Sequence, residues 1–327
     1  MSLKETIFIS PETGEKLFEY EEDGQHYLAT ESGHKYDFLS GFLDLVYPKE
    51  LTERVKEARH LFDNLADDYD RYMPQTFKTH DEDEATVRNG FIDLLNLKPD
   101  SKVLEIASGT GRDSEYIAKR LNKDGLFVMS DISPKMLRLC TEKVANAEVP
   151  KVFCLCSANH LPFPDNYFDA VYSFTAMQFF DIKNSLAEMA RITKPGGKIV
   201  VGDHGLPPWL RDTYYCKVLS TNPGILAEVP LKDIPVCARN VTVRWVIGSL
   251  FYLIEFAVGE GEPYANFDYN IAGTRGGTLR TRYEGQLEGV TPEAKELAIK
   301  AAKAKGMTLH DWLDSNVRQQ AKAQLGE

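Results

Sequence analysis

A short apolar run that ends in a glycine-rich turn constrains the fold of this chain most. Residues 103–106, Val-Leu-Glu-Ile, run into Ala107-Ser-Gly109-Thr-Gly111, after which the sequence continues as a helix. This order predicts a strand, a tight turn and a helix N-terminus. Gly109 and Gly111 have no Cβ atom, so a ligand can approach the backbone closely. Glu105, just before the turn, favours a cationic ligand, although the turn alone also fits an ordinary strand-to-helix connection.

Four more apolar runs predict an α/β fold in which strands alternate with helices. They lie at residues 126–131, 152–156, 168–174 and 199–203. The first of them ends in Asp131, a position from which a carboxylate can accept hydrogen bonds from a ribose diol. Residues 241–258 alternate between apolar and polar side chains, and we predict the final strands there and at 278–288.

Four motifs occur in a fixed order along this region. They are Glu105 to Gly111, Asp131-Ile-Ser with Met136-Leu, Leu161-Pro-Phe with Phe168-Asp, and Arg191 with Lys194-Pro-Gly-Gly. Together they resemble the class I S-adenosylmethionine (AdoMet) methyltransferases, especially the small-molecule branch of ubiquinone and menaquinone biosynthesis. The resemblance spans residues 62–204. It implies a Rossmann-like, seven-stranded methyltransferase sheet flanked by helices, with AdoMet as the cofactor.

The resemblance also implies which residues hold AdoMet. Glu105 would face the methionyl ammonium, and Asp131 would hold the ribose hydroxyls. The other cofactor-binding positions are Ala107, Ser108, Gly109, Gly111, Ile132, Met136, Ser157, Ala158 and Phe174. Two of them depart from the family: Ala107 replaces the usual first glycine, and Ser157 replaces a common aspartate.

The catalytic candidates are Asp203, His204 and Tyr69. Asp203 and His204 follow the fifth strand, whose carboxyl end faces the ligand crevice of an open α/β sheet, so they could deprotonate an acceptor. The alternative is a capping role for Asp203 and a solvent-facing His204. For Tyr69 the alternative is a tyrosine that anchors a helix on the core. The acceptor-binding candidates are Gln178, Trp209, Tyr214 and Arg275.

Composition limits the partners and the compartment. A net charge of -11 disfavours nucleic acid as a substrate, because phosphate backbones require a broad basic surface. The five cysteines have no disulfide-framework spacing, and the N-terminus shows no secretory signal, so we expect a cytoplasmic protein. The interrupted apolar run at 241–258 reads as strands and not as a membrane span.

The chain divides into three predicted parts. Residues 1–48 form a small β module that resembles the zinc-ribbon-like modules preceding some rRNA guanine methyltransferases. The places of the zinc-binding cysteines carry Ser10, Thr13 and Thr30, so no metal is expected. Residues 49–290 form the AdoMet-binding domain with a cap insertion at 205–240. Residues 291–327 form C-terminal helices for docking or oligomerisation, compatible with a homodimer.

The predicted function is AdoMet-dependent methyl transfer to a small, apolar or aromatic acceptor, with O- or C-methylation favoured. One alternative is an rRNA guanine methyltransferase, suggested by the N-terminal module. The other is a non-catalytic AdoMet-binding protein, suggested by the departures at Ala107, Ser157 and Gln178.

Overall fold

The computed structural model describes residues 4–22, 24–211, 213–219, 226–261, 271–272, 292–307 and 309–326. It divides the chain into two compact units, Met1–Tyr264 and Ala265–Glu327. The strand predicted at 278–288 and the acceptor candidate Arg275 lie outside the described residues.

The first unit begins with an antiparallel sheet of four strands. These strands are β1 (Lys4–Ile9), β2 (Lys16–Glu22), β3 (Gln25–Ala29) and β4 (Lys35–Tyr36). Hydroxyl groups close its turns: Ser10 Oγ accepts the Thr13 backbone N–H at 3.0 Å and lies 2.7 Å from the Tyr36 hydroxyl. Thr30 Oγ1 accepts the His34 backbone N–H at 2.9 Å. The positions compared with zinc-ribbon cysteines are thus part of a hydrogen-bonded β module.

The rest of the first unit builds a second, larger sheet and its helices. Before the glycine turn come β5 (Phe38–Leu39), β6 (Phe42–Asp44), α1 (Glu53–Tyr72), α2 (Pro74–Lys78) and α3 (Glu84–Asp93). Then follow β7 (Lys102–Ile106), α4 (Ser114–Ala118), β8 (Leu126–Asp131), α5 (Pro134–Lys143), β9 (Lys151–Leu155), β10 (Phe168–Phe174), α6 (Ile182–Ile192), β11 (Thr193–His204), α7 (Tyr214–Leu219), β12 (Ala238–Val246) and β13 (Phe251–Val258).

The order of these strands across the large sheet is β12-β13-β11-β10-β7-β8-β9-β6-β5. Strands β7 to β11 are parallel, and β13 pairs antiparallel with both β11 and β12. The prediction of a Rossmann-like α/β fold is confirmed, and β7 to β13 are its seven strands. Because parallel strands share one direction, the carboxyl ends of β7, β8, β10 and β11 meet at one edge of the sheet.

Two short strands extend the sheet beyond this arrangement. β6 pairs parallel with β9, so that Leu43 lies opposite Cys154 and Asp44 opposite Leu155, and β5 pairs with β6. The sequence predicts residues 38–44 as part of the N-terminal module, whereas in the structure they belong to the large sheet. Leu43 is buried against it, which explains why the pairing is favourable.

Two stretches of the first unit break into shorter helical pieces. Residues 53–93 contain three helices, and Pro74 opens the second at a position that tolerates the missing N–H. Within residues 207–219, a 3-10 turn at Pro208–Leu210 precedes α7. The consecutive prolines at 207 and 208 favour the break, because neither can donate a helical hydrogen bond.

The core lies within the large sheet, whose central strands are buried on both faces. Val103, Val128 and Val200 are fully buried, as expected for parallel strands covered by helices. Cys154 and Cys156 are buried here too, which confirms the prediction that they are core residues.

The second unit contains β14 (Ile271–Ala272), α8 (Pro292–Ala304) and α9 (Leu309–Leu325). The prediction of helices within residues 291–327 is confirmed by α8 and α9. Gly306 has a φ of +65°, which suits the residue that ends a helix. Across the described parts of the chain, none of the helices combines the length and apolarity that crossing a bilayer requires.

Candidate functional site

The glycine turn follows β7 and shapes one wall of a cleft. A Cβ atom on Gly111, whose φ is +82°, would lie 2.9 Å from Cys140 Sγ, so glycine allows α5 to approach the turn. A Cβ atom on Gly109 would meet no atom within 4 Å, so the space beside that backbone is open to a ligand. Ala107 has a φ of +55°, a left-handed conformation that costs an alanine about 1 kcal/mol.

Asp131 ends β8 directly beside this turn. Its Oδ2 accepts the Gly109 backbone N–H at 2.8 Å, and its Oδ1 accepts the Ser133 backbone N–H at 2.8 Å. Each carboxylate oxygen has a second lone pair, so both can still accept a hydrogen bond from a ligand hydroxyl. Burial raises the pKa of Asp131 to about 6, although the backbone hydrogen bonds act in the opposite direction.

This raised pKa predicts a pH-dependent affinity for nucleosides. Below pH 6 the Asp131 carboxyl is protonated in the free protein and accepts a ribose hydroxyl less well, so affinity should fall by up to about tenfold per pH unit. Calorimetry with 5′-methylthioadenosine, which has the ribose diol but no ammonium, measures this effect separately from any effect of Glu105. The Asp131→Asn variant should bind more weakly and lose the dependence; a slope that persists in the variant would contradict the assignment.

Glu105 lies on β7 beneath the same turn and is 3 % exposed. The Ser114 hydroxyl donates a hydrogen bond to its Oε2. Burial, followed by the nearby negative charge of Asp113, raises the pKa of Glu105 well above its ordinary value. Among the described residues it forms no ion pair, because the buried Arg88 is bound to Asp113 and to Glu84, each at 2.7 Å. An ammonium group is therefore the electrostatic complement that this carboxylate lacks.

The cleft beside the turn holds about 490 Å³ of atom-free space, counted to the solvent at its mouth. Its walls come from α1, the glycine turn, the end of β8 with the start of α5, and the segment after β10. The lining residues are Ala58, Phe62, Tyr69, Ala107, Gly109, Asp131, Ile132, Met136, Phe174, Thr175, Ala176, Phe179 and Phe180.

The structure therefore brings seven of the sequence-predicted site residues to one cleft: Tyr69, Ala107, Gly109, Asp131, Ile132, Met136 and Phe174. Burial raises the pKa of Tyr69, whose side chain is hydrogen-bonded to Thr175. The roles of these residues remain predictions.

Six lining residues were not singled out from the sequence: Ala58, Phe62, Thr175, Ala176, Phe179 and Phe180. Phe62 packs edge to face on Phe179, with ring centroids 5.4 Å apart. A signal for the α1 residues was present, because Ala58, Phe62 and Tyr69 follow at intervals of four and seven and so share one helix face. That face was not assigned to the cleft because its packing partner is remote in sequence.

Asp203 and His204 form a pair at the carboxyl end of β11. His204 Nδ1 lies 3.0 Å from Asp203 Oδ1, and Asp203 Oδ2 accepts the Gln178 backbone N–H at 2.7 Å. The His204 ring packs on Phe251 at 4.3 Å, and Phe251 packs on Phe174 at 5.6 Å. His204 is thus connected to the cleft wall through Phe251, and the buried Asp203 accepts the backbone N–H groups of Gln178 and His204, contacts that also fit the capping alternative.

The other described candidates for cofactor and acceptor binding lie outside the lining of this cleft: Glu105, Ser108, Gly111, Ser157, Ala158, Gln178, Trp209 and Tyr214. Ser157 bridges to His160 in the connection after β9, and Ala158 is buried beside it. Trp209 packs edge to face on Trp245 at 5.9 Å, and Tyr214 is 81 % exposed on α7.

Two residues of the motifs that carry the family resemblance, Arg191 and Lys194, hold neighbouring segments in place. Arg191 donates to the carbonyl groups of Phe163 at 2.8 Å and Leu161 at 2.9 Å, which fixes the loop before β10. Lys194 forms an ion pair with Asp169 at 2.6 Å. These residues position strands and loops, whereas the Glu105 and Asp131 motifs form the cleft side of the sheet.

Comparison with known proteins identifies the family. Residues 103–197 match a family described as a methyltransferase domain. The ubiquinone/menaquinone biosynthesis C-methyltransferase UbiE of Cupriavidus necator is 40 % identical over 184 residues, which cover 54 % of this chain and 74 % of that protein. The chain belongs to the class I AdoMet-dependent methyltransferases. AdoMet is accordingly the cofactor of this methyltransferase.

The chain covers a smaller part of the length of other relatives. UbiE of Burkholderia ambifaria, strain MC40-6, is 34 % identical over 160 residues. The match covers 46 % of this chain and 62 % of that relative. Among solved structures, phosphoethanolamine N-methyltransferase 2 of Haemonchus contortus, in complex with AdoMet, is similar at 15 % identity and a TM-score of 0.47. The match covers 65 % of this chain and 62 % of that chain.

The cleft of this methyltransferase suits AdoMet chemically. The open space at Gly109 admits a ligand against the backbone, and the buried Asp131 carboxylate in the lining suits a ribose diol. Glu105 is buried two residues before Ala107 and is not part of the lining. Ile132 and Met136 supply apolar surface beside Asp131, as an adenine ring requires.

Proposed function

We propose that the protein transfers a methyl group from AdoMet to carbon or oxygen of a small, apolar or aromatic acceptor. The observation that supports this most is the aromatic part of the cleft, where Phe62, Phe174, Phe179 and Phe180 contribute walls. Tyr69 and Thr175 are the hydroxyl-bearing side chains of the same lining. Such a surface favours a flat apolar molecule with one or two polar substituents.

In this proposal Glu105 holds the methionyl ammonium of AdoMet and Asp131 holds the ribose diol. AdoMet supplies the methyl group on a sulfonium, which leaves as a neutral thioether. The chain itself has to align the acceptor and exclude water, and the aromatic walls suit both tasks. The relatives are named as C-methyltransferases, which supports carbon as the methylated atom.

A base is useful for a carbon or oxygen acceptor. His204 lies outside the cleft lining, and it is proposed for this role through a bridging water. Asp203 Oδ1 lies 3.0 Å from His204 Nδ1, and this carboxylate stabilises the tautomer that carries its proton on Nδ1. That tautomer leaves Nε2 unprotonated and able to accept a proton. Asp203 is itself held by the Gln178 backbone N–H, which ties the pair to the segment that lines the cleft.

The other parts of the chain have proposed roles around this site. The insertion at 205–240 is proposed as a cap: Arg211 donates to the carbonyls of Leu206 at 3.3 Å and Ala227 at 3.1 Å and so ties distant parts of it together. The N-terminal sheet of β1 to β4 is proposed as a lid, a dimer contact or a packing module. Residues 291–327 are proposed as an oligomerisation element. All five cysteines are free, which supports the cytoplasm as the proposed location.

A transfer assay with methyl-labelled AdoMet tests the proposed function. One arm contains substituted phenols, naphthols and hydroquinones, and the other contains total RNA from a bacterium. We expect label to enter the small molecules and not the RNA, because the aromatic walls suit a small flat molecule and the chain carries a net charge of -11. Labelled RNA would favour the rRNA methyltransferase. AdoMet binding without transfer to either arm would favour a non-catalytic protein.

A further inference from the structure

Helix α1 covers the cleft with little apolar anchoring. It is 20 residues long, yet only Ala58 and Ala66 are buried. Leu61 is 47 % exposed and Leu65 is 36 % exposed. Elements with few buried apolar contacts open at low free-energy cost, so other interactions must decide whether α1 stays on the cleft.

Polar contacts hold α1 to three different segments around the cleft. Near its start, the Arg54 guanidinium donates to the Gln178 carbonyl in the segment after β10. In its middle, Asp63 Oδ1 accepts the Ser133 hydroxyl at 2.5 Å, just after β8. Near its end, Asp70 contacts the glycine turn. The helix thus contacts the acceptor side, the nucleoside side and the methionyl side of the proposed site.

The contact of Asp70 is the most extensive of the three. Its Oδ1 accepts the Thr110 hydroxyl at 2.6 Å and the Arg112 guanidinium at 3.2 Å, both on the glycine turn. Its Oδ2 accepts Lys143 Nζ at 2.5 Å, at the end of α5. Burial by itself would raise the pKa of Asp70, but the hydrogen bonds from Lys143 and Thr110 outweigh it and lower the pKa below its ordinary value. The carboxylate is therefore ionised at neutral pH.

Arg112 is in turn fixed by a second carboxylate. It donates to Glu84 at the start of α3, and Glu84 also accepts Arg88 at 2.7 Å. Arg112, one of the partners of Asp70, is therefore held by a residue outside α1, which reduces the entropy lost when the contact forms.

Asp70 does not stabilise the helix to which it belongs. It lies in the last turn of α1, where a carboxylate is unfavourable to the helix dipole. Its stabilising contacts are all to residues outside the helix. This placement suits a residue whose role is to fasten α1 to the glycine turn.

We infer that Asp70 is a positioning residue that fastens α1 over the cofactor and thereby slows cofactor release. The inference rests on the proposed location of AdoMet at the glycine turn. The same contact places Phe62 and Tyr69 of α1 in the cleft wall, where Phe62 meets Phe179. Cofactor retention and completion of the acceptor pocket then depend on one docked helix.

The test measures release of S-adenosylhomocysteine (AdoHcy) from the full chain. AdoHcy is the product that AdoMet becomes, so its release can be measured without knowing the acceptor. In Asp70→Asn we expect the dissociation rate to rise about tenfold, since a charge-assisted contact with two cations is lost. Hydrogen exchange gives a second readout: AdoHcy should slow exchange of the α1 amides in the wild type and much less in the variant. Lys143→Gln, which weakens the contact from the α5 side, should shift both readouts in the same direction.

Asp68→Asn is the matched control. Asp68 lies on the same helix and forms an exposed ion pair with Arg71 at 3.9 Å, so its loss should change neither readout. Wild-type release rates and α1 protection in both Asp70→Asn and Lys143→Gln would overturn the role of Asp70 alone. A wild type that does not bind AdoHcy, or whose binding is unaffected by Asp131→Asn, would overturn the proposed site and the inference with it.

Discussion

Replacing Glu105 by glutamine is expected to weaken AdoMet binding by about 100-fold, because one buried charge-assisted interaction is lost. Glu105 is buried, and among the described residues it forms no ion pair, although the nearby charge of Arg88 acts to lower its pKa. The ligand ammonium would supply a cationic partner, whereas a neutral amide attracts it far less. Calorimetry with AdoMet and with AdoHcy measures the effect, and both ligands should be affected because both carry the ammonium.

The same substitution should leave the free protein at least as stable as the wild type. The pKa of Glu105 is raised by burial, so its contribution to folding stability is present below the unfolded pKa and is lost as pH rises through the folded pKa. Glutamine does not ionise, and Glu105→Gln should therefore escape this loss. Thermal denaturation across this pH window measures it.

Glu115→Gln is the control for this prediction. Glu115 lies on α4 and pairs with Lys119 at 2.8 Å on the partly exposed outer side of the helix. Its substitution should change neither affinity nor stability beyond the small value of a surface ion pair. An unchanged AdoMet affinity in Glu105→Gln would remove Glu105 from the site. A lower affinity together with a lower stability would indicate a disturbed turn instead.

Replacing His204 by alanine is expected to lower kcat by roughly 10²- to 10⁴-fold, the usual contribution of a general base. The acceptor is one that the transfer assay identifies, and the rate is measured in single turnovers at saturating AdoMet. AdoHcy affinity should stay within about twofold of the wild type, because His204 is assigned no contact with the cofactor. Asp203→Asn should show a smaller loss, since it weakens the hold on the tautomer but leaves the imidazole.

His160→Gln is the matched control, because His160 is a partly buried histidine outside the cleft that packs on Tyr47 at 5.2 Å. Its turnover should equal that of the wild type. If His204→Ala also turned over at the wild-type rate, alignment alone would account for catalysis, and the pair would have only a structural role.

The sequence allowed the cofactor side of the cleft to be predicted well, and the acceptor side less well. Gly109, Asp131 and Met136 follow directly from a strand-turn-helix order, and the structure places them together. Phe179 and Phe180 lie in a short segment without periodicity, so nothing local marks them as cleft residues. Trp209 was assigned to the acceptor from its aromatic character, yet its observed contact is with Trp245, more than thirty residues away.

The amino-acid sequence by itself determined the alternation of strands and helices, the turn at Gly109 and the carboxylates at the ends of β7 and β8. These depend on short-range periodicity, on glycine conformations and on residues adjacent to a strand end. Tertiary structure alone decided that α1 lies over the cleft, that Asp70 meets Lys143, and that residues 38–44 extend the large sheet. Those features arise from contacts between segments tens of residues apart, and such contacts form only when hydrophobic burial has brought the segments together.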